Sequence, residues 1–152
     1  MVDRVIRADD VRDAVSTAVW AQPVTDIHTH LFSTEFGELL LWGVDELLTY
    51  HYLIAETLRS SDVGYDAYWA MSQREQADLG WQTLFIENSP ISEACRGVVT
   101  TLQAYGFDLS TRDLDSYRDA LRDVRVEDHI DRVFELANVE SVVMTNDPFD
   151  PV

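Results

Sequence analysis

A chain of 152 residues, 46% of them hydrophobic and free of low-complexity tracts, is long enough to bury a real core and does not belong to the disordered class. Its 28 acidic residues face 11 basic ones, every one an arginine, and the net charge of -17 excludes nucleic acid and anionic membranes as partners, because both repel such a surface. Adaptation to high salt and a codon bias that favours Arg over Lys both account for that balance, and neither decides function.

The charged N-terminal stretch, MVDRVIRADDVRDAV, offers no apolar segment of the signal-peptide kind. No run approaches the roughly 18 apolar residues of a membrane span, so a cytoplasmic protein is expected. One cysteine, Cys95, cannot form an internal disulfide. Together with Ile91, Ala94 and Val98 it suggests a helix face, which predicts a buried, inert thiol.

In chain order, Asp9 or Asp10 can cap a first helix that runs to about Trp20, with Val11, Ala14, Val15, Ala18 and Val19 on one face. Pro23 follows, and residues 24–30 (VTDIHTH) are rich enough in β-branched side chains to read as a strand. After a loop, 45–58 places Leu47, Leu48, Tyr52, Ala55 and Leu58 at helical spacing. Residues 65–85 are aromatic-rich and less regular, with Gly80 expected to break the helix. Ser92 begins a clearer helix to Tyr105, ended by Gly106 as a C-cap. Two short helices follow at 113–121 and 128–137. Residues 140–145 (ESVVMT) read as a buried strand before the turn Asn146-Asp147-Pro148.

The organisation is therefore a first helix and strand (1–30), a helical insertion or separate helical domain (31–138), and a second strand (139–152). Parallel strands are ordinarily joined in a few tens of residues, so the middle is unusually long. Two strands do not make a stable sheet alone, and the sequence reads as cut short after the second.

Asp26-x-His28-x-His30 is the pattern most suggestive of chemistry. The strand's period of two sends His28 and His30 from one face, where two imidazoles can bind a single divalent cation. Asp26 is placed behind them to orient a ligand. The competing reading is a pair of surface histidines at a strand end. Trp42, Trp69 and Trp81 are read as core side chains rather than sugar-stacking platforms, and His129, in an acidic helical stretch, as exposed.

Val24-Thr25-Asp26-Ile27-His28-Thr29-His30-Leu31 resembles the signature that closes the first strand of the (β/α)8 barrel in the amidohydrolase superfamily. A long helical insertion after that strand is similar to the uronate (glucuronate) isomerases. Within it, His51-Tyr52 resembles the family's His-Tyr pair that helps hold the sugar acid. Met144-Thr145-Asn146-Asp147-Pro148 resembles the Thr-Asp-Asp-Pro segment closing its second strand. The chain departs from the pattern in having Tyr50 where the family has Asp, and Asn146 where it has a carboxylate. Arg59 lies one residue beyond the family's arginine, and that role is not carried over. Residues 35–43 are unlike the family.

The resemblance implies the first part of a metal-dependent (β/α)8 TIM barrel of α/β class, with a large helical insertion between strands 1 and 2. It implies aldose–ketose isomerisation of a hexuronate, glucuronate to fructuronate or galacturonate to tagaturonate. His28 and His30 would hold a divalent metal, zinc by expectation, with Asp26 and Asp147 behind the ligands. His51 and Tyr52 would bind the sugar acid. The family's catalytic Asp comes from the last barrel strand, and its assembly suggests a homotrimer. A metal-dependent hydrolase of the same superfamily and a non-enzymatic helical interaction module are the alternatives.

Overall fold

The structure, a computed structural model, describes residues 6–29 and 42–144. The chain divides into two units, Met1–Glu35 with Glu127–Val152, and Phe36–Val126.

In the first unit a short 3-10 turn (Ala8–Asp10) leads into α1 (Val11–Trp20), followed by strand β1 (Val24–Thr29). Helix α8 (Val126–Ala137) and strand β2 (Val139–Met144) complete it. The two strands pair in parallel, as a crossover connection requires. Asp10 stands at the boundary of α1 but makes no side-chain capping bond. Its own backbone is helical (φ -96°, ψ -3°), whereas a capping side chain reaches its N–H from an extended residue.

Asn138 links the unit's two chain segments. It adopts the left-handed conformation (φ 52°) that Asn tolerates. Its amide donates to the carbonyls of Gln22 (2.8 Å) and Trp20 (3.4 Å), and its own carbonyl accepts the Val24 N–H (2.8 Å). None of the unit's described residues is buried. The apolar face expected on α1 is largely in solvent, with Val11, Val15 and Val19 exposed and Trp20 75% exposed.

The second unit is helical: α2 (Val44–Leu48), α3 (His51–Ser60), α4 (Tyr65–Trp69), α5 (Gln73–Trp81), α6 (Glu93–Ala104) and α7 (Leu114–Leu121). Its core gathers Leu48, Leu53, Ala77, Trp81, Phe85, Val98, Leu102 and Tyr117, among others. Trp81 lies parallel to Phe85 at 4.7 Å and meets Tyr117 edge-on at 5.8 Å, while its indole N–H donates to the Arg112 carbonyl (3.1 Å). Burying the indole thus leaves no unpaired donor.

Local sequence fixes most helix ends. Ser72 and Glu75 form a reciprocal capping box. Ser92 and Asp113 accept backbone N–H groups at the starts of α6 and α7. Gly106 (φ 85°) closes α6 as expected: its N–H bonds the Gln103 carbonyl, and that of Phe107 bonds Leu102, the Schellman arrangement.

Four readings of this unit need correction. The helix expected over 45–58 is two helices, because Thr49 turns its hydroxyl onto the Asp45 carbonyl (2.7 Å) and Tyr50 is extended (φ -64°, ψ 141°). The break resets the helical phase, so Leu53 and Thr57 are buried while Tyr52 and Ala55 are exposed. Gly80 does not break a helix. It lies within α5, which continues into a π-helical turn (Gln82–Glu87). A Cβ at Gly80 would stand 3.3 Å from the Thr57 hydroxyl, so its lack of a side chain admits α3. Of the tryptophans, Trp81 is buried and Trp42 half-buried, but Trp69 is 50% exposed, at the end of a helix too short to bury a whole face. Ile91 is 80% exposed, outside α6 and apart from the face of Cys95 and Val98.

His129, in the first unit, also departs from expectation. It is half-buried, and burial holds its imidazole below the usual range. Cys95 is buried as expected; burial raises its thiol, and the nearby Glu56 carboxylate adds to the rise. Among the described residues, no helix is long and apolar enough to cross a membrane.

Candidate functional site

His28 sits near the C-terminal end of β1 and is exposed. The strand around it is irregular. Asp26 pairs with Val142 and Thr29 with Met144, so Ile27 and His28 stand opposite the single residue Val143. Such an extra residue is a β-bulge, and it re-aims the side chains that follow. The burial pattern along β1 agrees, with Asp26 and Thr29 half-buried and the residues between them exposed, where strict alternation would put them on opposite faces. The Asp26 carboxylate accepts the backbone N–H of His28 at 3.0 Å. Asp26 thus touches the histidine through its main chain.

His30 and Asp147 lie outside the described residues. No group of three or more His, Cys, Asp or Glu side chains able to hold a metal occurs among the described residues. An exposed imidazole at a strand end nonetheless suits a divalent cation of zinc's character, which takes nitrogen donors readily. A complete coordination sphere needs ligands beyond the described set.

In the helical unit, His51 and Tyr52 open α3, the second helix of the insertion, and both are exposed. Their rings are 4.1 Å apart. Tyr50 stands 4.2 Å from His51 on its other flank and 5.6 Å from Tyr52. Three rings thus cluster at the helix start, the histidine in contact with both tyrosines. Tyr50 contributes its carbonyl to the Leu53 and Ile54 N–H groups, which leaves its ring free of any capping duty. Sequence reading singled out His51 and Tyr52 but gave Tyr50 no part; its signal was only adjacency.

The same unit holds a charge cluster that sequence reading missed. Arg118, its side chain 10% exposed, reaches Asp45 (2.7 Å), Asp78 (2.7 Å) and Asp115 (3.0 Å) from α2, α5 and α7. Burial opposes its charge, but the three carboxylates outweigh that and drive its pKa above the arginine range. A cleft of about 460 Å³ beside the π-helical turn, floored by Trp81 and Phe85, contains none of the expected site residues.

These features define an α/β chain in which two parallel strands are joined through a long helical insertion, the first strand presenting a histidine near its C-terminal end. Over 97% of its length the chain is 58% identical to a uronate isomerase from Bacillus halodurans whose crystal structure is known, and the two superpose with a TM-score of 0.91. The chain belongs to the uronate isomerase family. It spans 35% of the length of that relative. No protein-family model matches the chain, and no curated protein matches it.

Proposed function

We propose that this chain supplies the first two strands and the helical insertion of a metal-dependent (β/α)8 barrel that interconverts an aldose acid and a ketose acid, with glucuronate or galacturonate as substrate. The identity of 58% to a uronate isomerase, sustained over nearly the whole chain, carries this reading. A second observation supports it: among its described residues the unit bearing β1 and β2 shows none that is buried, and it exposes Ile27, Val143 and the apolar side of α1. Further strands and helices of a barrel would cover such surface.

In this reading His28 and His30 hold a divalent metal, zinc by its nitrogen ligands. The metal, when bound, supplies positive charge near the substrate oxygens. His51 and Tyr52 bind and orient the sugar acid by hydrogen bonds, their rings held by mutual contact and by Tyr50. Moving a proton between C2 and C1 requires a positioned base and stabilised oxygens, and the described residues provide orientation rather than the base. The test is substitution in the full-length protein. His28→Ala and His30→Ala are each expected to lower zinc content and turnover of glucuronate together. Full turnover without bound metal would overturn the reading.

A further inference from the structure

We propose that Tyr50 is a positioning residue for the sugar acid that acts through His51: its ring packs on the imidazole and narrows the orientations open to it. The inference rests on the reading of His51 as a group that binds the sugar acid. Within a helix, successive side chains point apart. Tyr50 escapes that rule because it lies just before α3 with an extended backbone (φ -64°, ψ 141°), and its ring centroid stands 4.2 Å from that of His51. Tyr52 meets the imidazole at 4.1 Å, and the two tyrosines meet edge-on at 5.6 Å. His51 therefore touches two rings that also touch each other. An exposed side chain loses rotamer freedom when a ligand orders it, and contacts that order it beforehand remove part of that cost.

Tyr50 is itself held in place. Thr49, just before it, donates its hydroxyl to the Asp45 carbonyl (2.7 Å) and accepts the Gln73 side-chain amide from α5 (3.2 Å). The Tyr50 carbonyl accepts the Leu53 N–H (2.8 Å) and the Ile54 N–H (3.1 Å). These bonds fix the main chain on both sides of Tyr50 and none involves its ring. A change of side chain at this position therefore alters the contact with His51 while the break between α2 and α3 stays. Phenylalanine keeps the ring and drops the hydroxyl, whereas leucine keeps apolar bulk and drops the ring.

The experiment compares Tyr50→Phe, Tyr50→Leu, His51→Ala and the Tyr50→Leu/His51→Ala double variant in the zinc-loaded, full-length protein. It measures kcat/KM on glucuronate and galacturonate, bound zinc, and the His51 ring-proton signals by NMR. Tyr50→Phe is expected to stay within about twofold of the parent and to leave the His51 signals in place. Tyr50→Leu is expected to lose about tenfold in kcat/KM with zinc unchanged, and to shift those signals. Without His51, the same leucine substitution should cost no more than about twofold, because Tyr50 acts through the imidazole. An equal loss from Tyr50→Leu with and without His51 would overturn the proposal. So would a Tyr50→Phe variant as impaired as Tyr50→Leu, which would give the role to the hydroxyl, or a Tyr50→Leu variant with parent-like turnover. Each of these results, beside a crippled His51→Ala, leaves the reading of His51 standing. Normal turnover by His51→Ala removes that reading and the proposal with it. Should Tyr50→Leu fail to fold, Tyr50→Gln, which also lacks a ring, takes its place in every comparison.

Discussion

His51 meets the rings of both Tyr50 and Tyr52 at the first position of α3, and under the proposed function a small change of ring direction there would misplace a hydrogen bond to the sugar acid. His51→Ala in the full-length protein is therefore expected to lower turnover of glucuronate by about a hundredfold, with bound zinc unchanged. Loss of zinc along with turnover would make His51 a ligand instead, and normal turnover would return it to an ordinary surface residue. His129 gives a second prediction. Burial lowers its pKa in the folded chain, so the folded state favours the neutral ring. Its contribution to stability is present above the unfolded value of about 6.5 and is lost as pH falls through the folded value. Protection of the α8 amides, taken relative to their intrinsic exchange rate at each pH, should therefore fall as the solution is taken from roughly neutral to mildly acidic pH, and His129→Gln should blunt that change. An identical acid response in the variant would assign the effect to the carboxylates.

At the scale of elements, Gly80 and Thr57 show how closely α5 approaches α3. Thr57 is almost fully buried, and the Gly80 position has no room for a branched side chain beside it. Gly80→Val is expected to cost about 2 kcal/mol through overpacking, and Thr57→Ser should restore little of that, because the hydroxyl that crowds the site remains. Denaturant melts of the four proteins in a double-mutant cycle measure this directly. Arg118 binds three helices at once, and Arg118→Ala leaves Asp45 partly buried without its partner; about 2–3 kcal/mol is a fair expectation, below the cost of a fully buried pair because Asp78 and Asp115 are largely exposed. These same elements show what could be read in advance. The helix starts at Ser92 and Asp113 and the C-cap at Gly106 follow from local chemistry, and sequence reading placed them correctly, though it did not assign the capping bonds of Ser92 and Asp113. The break at Thr49 and Tyr50 did not show, because leucines on both sides keep a helical spacing that continues across it. The place of Gly80 depends on a helix more than 20 residues away in sequence, and the Arg118 cluster on carboxylates up to 73 residues distant. The bulge at Ile27 and His28 was hidden for a related reason: alternation in one strand says nothing of how many residues its partner sets opposite.

For the molecule as a whole, the contrast between the units is one of burial. Every buried residue described belongs to the helical unit, while the strand unit, which carries His28, leaves many of its described apolar side chains exposed and the rest half-buried. On the 152-residue chain alone, hydrogen exchange should be slow in the helices lining the core, notably α5 and α6, and fast in β1 and β2, whose paired strands lack a packed layer. Uniform protection across both units would mean that the strand unit is stable without further cover. The central claim is that the chain holds part, and not all, of a uronate isomerase site. It is tested most directly by assaying ketose acid formation from glucuronate and galacturonate with the zinc-loaded 152-residue chain and the full-length protein in parallel, with circular dichroism confirming that the chain is folded. The account predicts turnover by the full-length protein and none by the chain, because the residues that complete a barrel site come from several strand ends. Isomerisation by the folded, monomeric 152-residue chain would contradict it.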